Sequence, residues 1–436
     1  MKSSLPRLAA LALLCSTTSA LAENWPQWRG PRLDGTSQDT GFPTAASPEN
    51  VKWKAELPGS GHASPIVWGD RIFAVSAVES GERLLICVDR NNGSVLWKST
   101  VLTSPLESIH RLNTQASSTP ATDGEKVFTA FLDQKETPET RKANEGRVIP
   151  KGEVAKSTVV ISAHDFSGKQ VWQKAVGLFS SKHGFCSSPI LFKDKVIVNC
   201  DHDGDGYIVA LARADGKELW RVARPNNTRS YCVPIIRELA GRTQMVLSGT
   251  KCVTSYDPND GSLIWMMDGP TEQFVASLVY NDRAGYLFLT AGFPEKHILA
   301  IKPDGKGNVT NTAIAWRTNQ GAAYVPSPIA EGDWCLVVSD SGVAHCFEAK
   351  TGRIAWEERM REHHASLVSA EGNVTFINDF GIMRVVKPGD KYQLVAESEV
   401  GEKVFASPAL SEGQMFVRGD KSIICLGARK SGVAGK

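Results

Sequence analysis

Along most of the chain, short apolar runs alternate with clusters of turn-forming residues, at a spacing too tight for helices. The unit is cleanest in Ser327–Ala330, Trp334–Ser339, Val343–Glu348 and Arg353–Glu358. Glu331-Gly332-Asp333, Ser341-Gly342 and Lys350-Thr351-Gly352 separate these runs, and their turn composition predicts four strands joined by tight hairpins. Five times the chain writes Gly-x-x-x-Trp: Gly93 with Trp97, Gly168 with Trp172, Gly216 with Trp220, Gly261 with Trp265, and Gly352 with Trp356. An acid (Asp89, Asp165, Asp257 or Glu348) precedes four of these tryptophans by seven or eight residues, and Arg213 holds that place in the remaining unit. Trp53 and Trp316 fit the tryptophan position without the glycine. The glycine supplies the positive φ of a tight turn, and the indole is large enough to staple one unit to the next.

Each unit opens on a small residue before proline: Ser64-Pro65, Thr119-Pro120, Ser188-Pro189, Val233-Pro234, Ser327-Pro328 and Ser407-Pro408; Ser277-Leu278 and Ser366-Leu367 keep only the serine. Successive openings lie 39 to 69 residues apart, a propeller-like period with one aromatic mark per unit. The seventh unit, Ser366–Val400, has Val395 near the tryptophan place. The eighth runs out after three strands at Cys425-Leu426-Gly427, and Val51–Leu57 is expected to supply its outer strand, which accounts for the isolated Trp53. The expected fold is all-β: an eight-bladed propeller of four-stranded antiparallel blades over 51–427, closed by strands from both ends of the chain. Residues 23–50, with the aromatic segment NWPQWRGP, are expected to form a strap on the propeller wall. A charged insertion, 134–157, falls between the second and third strands of unit two and is expected to be mobile, a functional lid being the alternative. Residues 428–436 form a tail.

The first 22 residues change the picture of where the protein works. Lys2 and Arg7, the apolar run Leu8–Cys15 and the end Ala20-Leu21-Ala22 have the form of a cleaved secretory leader. Leu14 precedes Cys15 where lipid attachment needs a small residue, so the expected product is a periplasmic or secreted protein without a lipid anchor. No later run reaches the ~20 apolar residues that span a bilayer. Without Lys2 and Arg7, the 49 basic residues fall to the same number as the 47 acidic ones. That balance, with no basic stripe, points away from nucleic acid. Of nine cysteines, Cys87, Cys346 and Cys425 share one place in the repeat with Ala163, Ala210 and Ala300, and there read as small hydrophobes. Cys186, Cys200, Cys232, Cys252 and Cys335 leave room for one disulfide.

Two groups of residues are candidates for chemistry. Asp201-His202-Asp203-Gly204-Asp205-Gly206 opens like a calcium loop, with Asp201, Asp203 and Asp205 as ligands. Ala212 stands where an EF-hand needs glutamate, and Val209 where shorter propeller loops place aspartate, so a plain hairpin is the competing reading. The second group comes from superposing the units. Three residues before the proline position stand His62, Ser117, Cys186, Tyr231, Val275, Val325, His364 and Phe405, with Gln115, His183, Arg229, Phe274, Tyr324 and His363 beside them. The ligand-binding candidates are His62, His183, Tyr231, Phe274, Tyr324, His363, His364 and Phe405. Gathered at one end of a central channel, they suit a saccharide or peptide, or they merely plug the channel. No phosphate loop, nucleophile elbow or HExxH is present, and no serine or acid is paired by motif with a base.

The repeats, such as DRNNGSVLW (Asp89–Trp97) and DPNDGSLIW (Asp257–Trp265), resemble the quinoprotein-type propeller family from Val51 to Leu426. That family holds both quinone-dependent alcohol dehydrogenases and the non-catalytic outer-membrane assembly factor BamB. NWPQWRGP, ASSTPATDGEKVF, HGFCSSPIL and VIVNCDHD look like secreted quinone-repeat proteins of planctomycete-type bacteria. The catalytic branch, as the resemblance implies, needs adjacent cysteines for a vicinal disulfide, a calcium ion and often a Cys-x-x-Cys-His haem site. No two cysteines are adjacent here and that haem motif is missing. The expectation is therefore a monomeric, non-catalytic scaffold without pyrroloquinoline quinone, binding a protein partner in the cell envelope. A quinone-dependent alcohol or aldose oxidoreductase is the alternative.

Overall fold

The computed structural model describes residues 23–148 and 156–428. The expected leader, part of the insertion (149–155) and the end of the tail lie outside the described residues. Eight sheets stand around one axis, each built on four antiparallel strands that run in chain order from the axis outward in blades one to seven. Blade one comprises Ile66–Trp68, Arg71–Ala77, Glu82–Asp89 and Val95–Thr103; blade six comprises Ile329–Glu331, Trp334–Val338, Val343–Glu348 and Ile354–Arg359. Blade eight takes three strands from Ala409–Gly427 and its outer strand, Val51–Glu56, from the other end of the chain. Val51 pairs with Leu426, Trp53 with Cys425 and Glu56 with Ser422, so the ring closes by strand pairing as expected.

The repeated tryptophan explains how blades hold one another. A Cβ on Gly93, Gly168, Gly216, Gly261 or Gly352 would collide with Trp53, Trp97, Trp172, Trp220 or Trp316 of the preceding blade. Each indole thus lies flat on the next blade's turn glycine. Four of them also donate Nε1–H to a backbone carbonyl of that turn, at 2.7–3.0 Å: Trp53 to Arg90, Trp97 to Phe166, Trp172 to Arg213 and Trp316 to Ala349. Within its own blade each tryptophan stands opposite a small residue: Trp97 faces Cys87, Trp172 Ala163, Trp220 Ala210, Trp356 Cys346 and Trp53 Cys425. Those cysteines are there for their size, and all eight cysteines of the described residues are free thiols, so no disulfide forms. Blade seven reverses the sizes, pairing Val385 with Ala396, so Ala396 rather than Val395 occupies the tryptophan place.

Every outer strand bulges one residue before that place. A bulge kinks the edge and makes it a poor template for another strand. It also explains why Leu96, Val171, Leu219 and Val395, the bulged residues, are exposed. Two short parallel pairings were not expected: Gly307–Asn308 caps the edge of blade four, and Thr36–Ser37 adds to the inner strand of blade seven. The described part of the insertion holds an element that was not expected, the helix Pro138–Asn144 with a reciprocal Thr137–Thr140 cap. The strap differs too. Trp25 pairs with Val67, Pro26 O accepts from Thr122 N–H, Gln27 accepts from Leu191 N–H, and Arg29 donates to Pro328 O. It therefore crosses the inner strands of several blades at one end of the axis rather than lying on the wall.

Candidate functional site

The opening of each inner strand sends alternate residues toward the axis, as a pleated strand must. They form two layers. The deeper layer holds Ser64, Thr119, Ser188, Val233, Ser327, Ser366 and Ser407, in a channel of about 130 Å³ that also meets Trp28 of the strap. Backbone N–H groups of this layer donate to the hydroxyl of the next blade, Ser64 to Thr119, Thr119 to Ser188, Val233 to Ser277, Ser277 to Ser327, Ser327 to Ser366 and Ser366 to Ser407, at 2.9–3.0 Å. A hydroxyl before the proline therefore links blade to blade at six of the eight junctions of this collar; the link is missing where Val233 has no hydroxyl to offer Ser188 and at the closing junction between Ser407 and Ser64.

The second layer, nearer the open end, includes His62, Cys186, Tyr231, Val275, Val325 and His364. Above it a cavity of about 590 Å³ opens to solvent, lined by His110, Leu112, Asn113, His183, Tyr231, Tyr324, Asp340 and His364 among others. His62 stacks on Phe405 at 4.7 Å between ring centroids, and His364 lies 5.4 Å from the same ring. His183 Nδ1 is 2.8 Å from the Tyr231 hydroxyl, and His110 lies 5.2 Å from His183. The Tyr324 hydroxyl donates to Gln273 Oε1 at 3.1 Å.

Electrostatics divides the histidines. Burial, with the charges of Arg418 and His364, pushes His62 down to about 4. Burial and His110 push His183 down to about 4 as well. Burial also works against a charge on His364, but the 2.7 Å bond to Asp379 Oδ2 and that carboxylate's charge outweigh it and raise its pKa. The surroundings thus favour the charged form of His364 and the neutral forms of His62 and His183. Burial pushes the Cys186 thiol up to about 12, which makes it a poor nucleophile.

The structure gathers six of the eight candidates, His62, His183, Tyr231, Tyr324, His364 and Phe405, at this mouth. It does not bring Phe274 or His363 there. Phe274 is fully buried in the core around blades four and five, and His363 is buried against Phe376 with Nδ1 on Arg361 O. The acidic loop also differs from a calcium site. Asp201 is fully buried against Arg224 at 2.8 Å, Asp203 faces Arg229 at 3.1 Å, and Asp205 is exposed beside Asn227. The three carboxylates do not converge, and no group of three or more potential ligands occurs among the described residues. The loop joins the second and third strands of blade three as a hairpin. A larger hollow of about 780 Å³ lies beside the insertion helix, lined by Glu136, Arg141, Lys142, Glu145 and Lys156; it is a surface feature of the insertion, not of the ring.

A family model described as the outer membrane protein assembly factor BamB matches residues 42–156, 121–358 and 308–433, overlapping registers that span nearly the whole propeller. The chain belongs to the BamB family. No curated protein matches it in sequence. Among solved structures it resembles BamB from Moraxella catarrhalis, with 13% identity and a TM-score of 0.54 over 86% of this chain and 98% of that one. The computationally designed Ika8 protein resembles it at 11% identity and a TM-score of 0.57, covering 87% of this chain and 100% of that one. The quinohemoprotein alcohol dehydrogenase ADHIIG from Pseudomonas putida HK5 shares 12% identity and a TM-score of 0.52 over 95% and 82% of the two chains. At such identities the likeness establishes the shared ring and nothing of its chemistry.

Sequence reasoning missed His110, Asn113, Asp340 and Asp379 of this BamB-family mouth. Asp340 accepts the N–H groups of Tyr324 and Val325, at 2.7 and 3.0 Å, and so fixes the connection that carries Tyr324. Asp340-Ser341-Gly342 and Asp379-Phe380-Gly381 are the same Asp-x-Gly turn after the second strand of successive blades. That recurrence was the available signal. His110 and Asn113 sit in the long connection between blades one and two, where no repeat position marks them.

Proposed function

We propose that this protein is a non-catalytic scaffold of the cell envelope that binds a protein partner on the face carrying the mouth. One observation carries the reading: the large cavity at the centre of that face is lined by exposed Leu112, and Leu106, Phe293 and Phe380 are further exposed apolar side chains of the same face. All four belong to connections between blades or to second-to-third-strand loops, which lie on the same face as the mouth. Exposed apolar clusters around a concave centre mark sites of association. The outer edges, bulged in every blade, are poor competitors for that role.

Enzymatic chemistry has less support. The His364–Asp379 pair orients an imidazole, but no hydroxyl or thiol among the described residues bonds to its other ring nitrogen. A quinone cofactor fits poorly, since no cysteines are adjacent, the channel is small, and the mouth carboxylates Asp340 and Asp379 are already engaged by backbone N–H groups and His364. The envelope location agrees with the family and with the leader read from the sequence.

The test is site-specific photo-crosslinking in cells, with the reactive residue at Leu112 or Phe380 on the mouth face and at Leu219 on the outer edge. A discrete adduct from both mouth positions and none from Leu219 supports the reading. Adducts from Leu219 alone would refute it.

A further inference from the structure

We propose that the collar beneath the mouth is a receptor for a carboxylate, carried by a peptide whose neighbouring apolar side chain fills the mouth. This inference rests on the partner-binding reading and specifies what the partner inserts. It starts from the hydrogen bookkeeping of the collar. Each hydroxyl that accepts a neighbour's N–H keeps its own hydrogen, and none of the collar hydroxyls donates to an acceptor among the described residues. Unspent donors converging on one axis select an acceptor, and a charged acceptor makes bonds about twice as strong as a neutral one.

Three further observations agree. No carboxylate lines the channel. Arg418, behind His62 of the channel lining, is 2% exposed, donates to Val75 O and Ser76 Oγ, has no acidic partner among the described residues, and lowers the pKa of His62 through its charge. Behind Trp28, which lines the channel, the Arg29 guanidinium lies 5.6 Å from the ring centroid, with the Asp34 carboxylate acting on its charge. The acids nearer the mouth stand outside the channel and are already engaged, Asp379 by His364 and Asp340 by two backbone N–H groups, and their charges act on the imidazoles of the mouth.

Size narrows the guest. A channel of about 130 Å³ has the volume of roughly four waters, enough for a carboxylate and a methylene or two but not for a fused ring system. The mouth above, with Tyr324, Val275, Val325 and Leu112, suits an adjacent aliphatic or aromatic group. The carboxylate can come from a free C-terminus or from an acidic side chain on a loop.

The probe is 3-phenylpropionate against 3-phenylpropionamide, measured by saturation-transfer NMR and calorimetry on the full chain. The acid is expected to bind about tenfold more tightly, the weight of a charged hydrogen bond or more. Ser366→Val should erase that preference without unfolding the ring, since blade four already carries Val233 at this place. If Ser366→Val does not fold, Ser327→Val serves. Two peptides separate the sources: acetyl-Gly-Gly-Leu-Phe as acid or amide reports a C-terminus, and acetyl-Gly-Glu-Phe-Gly amide reports a side chain. Preference for either carboxylate supports the inference and assigns its source. Equal binding of acid and amide, or a preference that survives the valine substitution, overturns it. The crosslinks from Leu112 and Phe380 would still appear in that case, so the two failures are distinguishable.

Discussion

At the mouth, neighbouring residues divide between channel and core because successive side chains of an extended segment point to opposite sides. His364 faces the channel and His363 the core; Val275 faces the channel and Phe274 the core. Superposing repeats located the right segments, but a choice one residue off changes the side. That is why His62 and His364 were legible in the sequence and Phe274 and His363 were misplaced; Tyr324 holds the same place as the misplaced pair, yet lines the mouth beside Val325 on the connection that Asp340 fixes. Asp201 was misread for a different reason: its partner Arg224 lies a whole hairpin away, and no local pattern announces a buried ion pair. Tyr324 tests the mouth directly. It is half-buried with a single side-chain bond to Gln273, so Tyr324→Ala should cost about 1 kcal/mol of stability while weakening partner binding at least tenfold. A large fall in melting temperature with unchanged binding would identify a plug instead. The histidines set a pH response. Burial lowers His62, His164, His183, His202 and His363 from the usual 6.5 to about 4, so the folded state disfavours their charged forms. Their contribution is complete above pH 6.5 and is lost as pH falls toward 4. His364 has the opposite sign, its stabilisation by Asp379 being present below pH 6.5 and fading as pH rises through its raised pKa. Five groups outweigh one, and the melting temperature should drop steadily from pH 7 to pH 4.5. A flat profile would contradict these environments.

The strand elements were the most legible part, because glycine, tryptophan and the small residue opposite it recur in phase. Two-residue parallel pairings such as Thr36–Ser37 and Gly307–Asn308 have no period to read, and the helix Pro138–Asn144 lies in an insertion whose charge suggested no structure. The staple itself can be separated from the strain of its turn. Gly168 and Gly285 both have positive φ, 89° and 74°, but a Cβ at Gly168 would stand 2.8 Å from Trp97, while at Gly285 nothing lies within 4 Å. Both alanine substitutions incur the left-handed penalty of about 1–2 kcal/mol. Gly168→Ala must also displace an indole wedged between blades, at a further cost of about 1–3 kcal/mol. Thermal unfolding of the two variants measures the difference. Equal losses would mean that the indole is not held against the glycine.

For the whole molecule, the decisive event is closure. The outer strand Val51–Glu56 and its partner Ser422–Gly427 come from opposite ends of the propeller sequence, so their pairing closes the longest loop in the chain. Trp53, carried by that strand, then reaches blade one, donating to Arg90 and covering Gly93. The clasp is thus both the last ladder of blade eight and the first staple of blade one. The strap has a different duty. It is held by the isolated Trp25–Val67 pairing, the bond from Thr122 N–H to Pro26 O and side-chain contacts, and it meets the channel through Trp28 without belonging to any ladder except the short Thr36–Ser37 addition. Two truncations separate these duties. A chain starting at Ala46 loses the strap and keeps the clasp; it should remain a monomer and unfold cooperatively at a lower temperature, because buried Trp25 and Arg29 are gone. A chain starting at Pro58 also loses the clasp. That uncovers Ser422–Gly427, six residues that are buried in the intact ring, as a flat edge with unpaired backbone groups. Such an edge recruits strands from other chains, so this truncation should elute as oligomers or precipitate. A peptide spanning Ala46–Leu57, added in trans during refolding, should restore the monomer by refilling the edge. Light scattering after size exclusion reads all three states. If the chain from Pro58 were monomeric and as stable as the chain from Ala46, seven complete blades would hold the eighth without its outer strand, and the clasp would be dispensable.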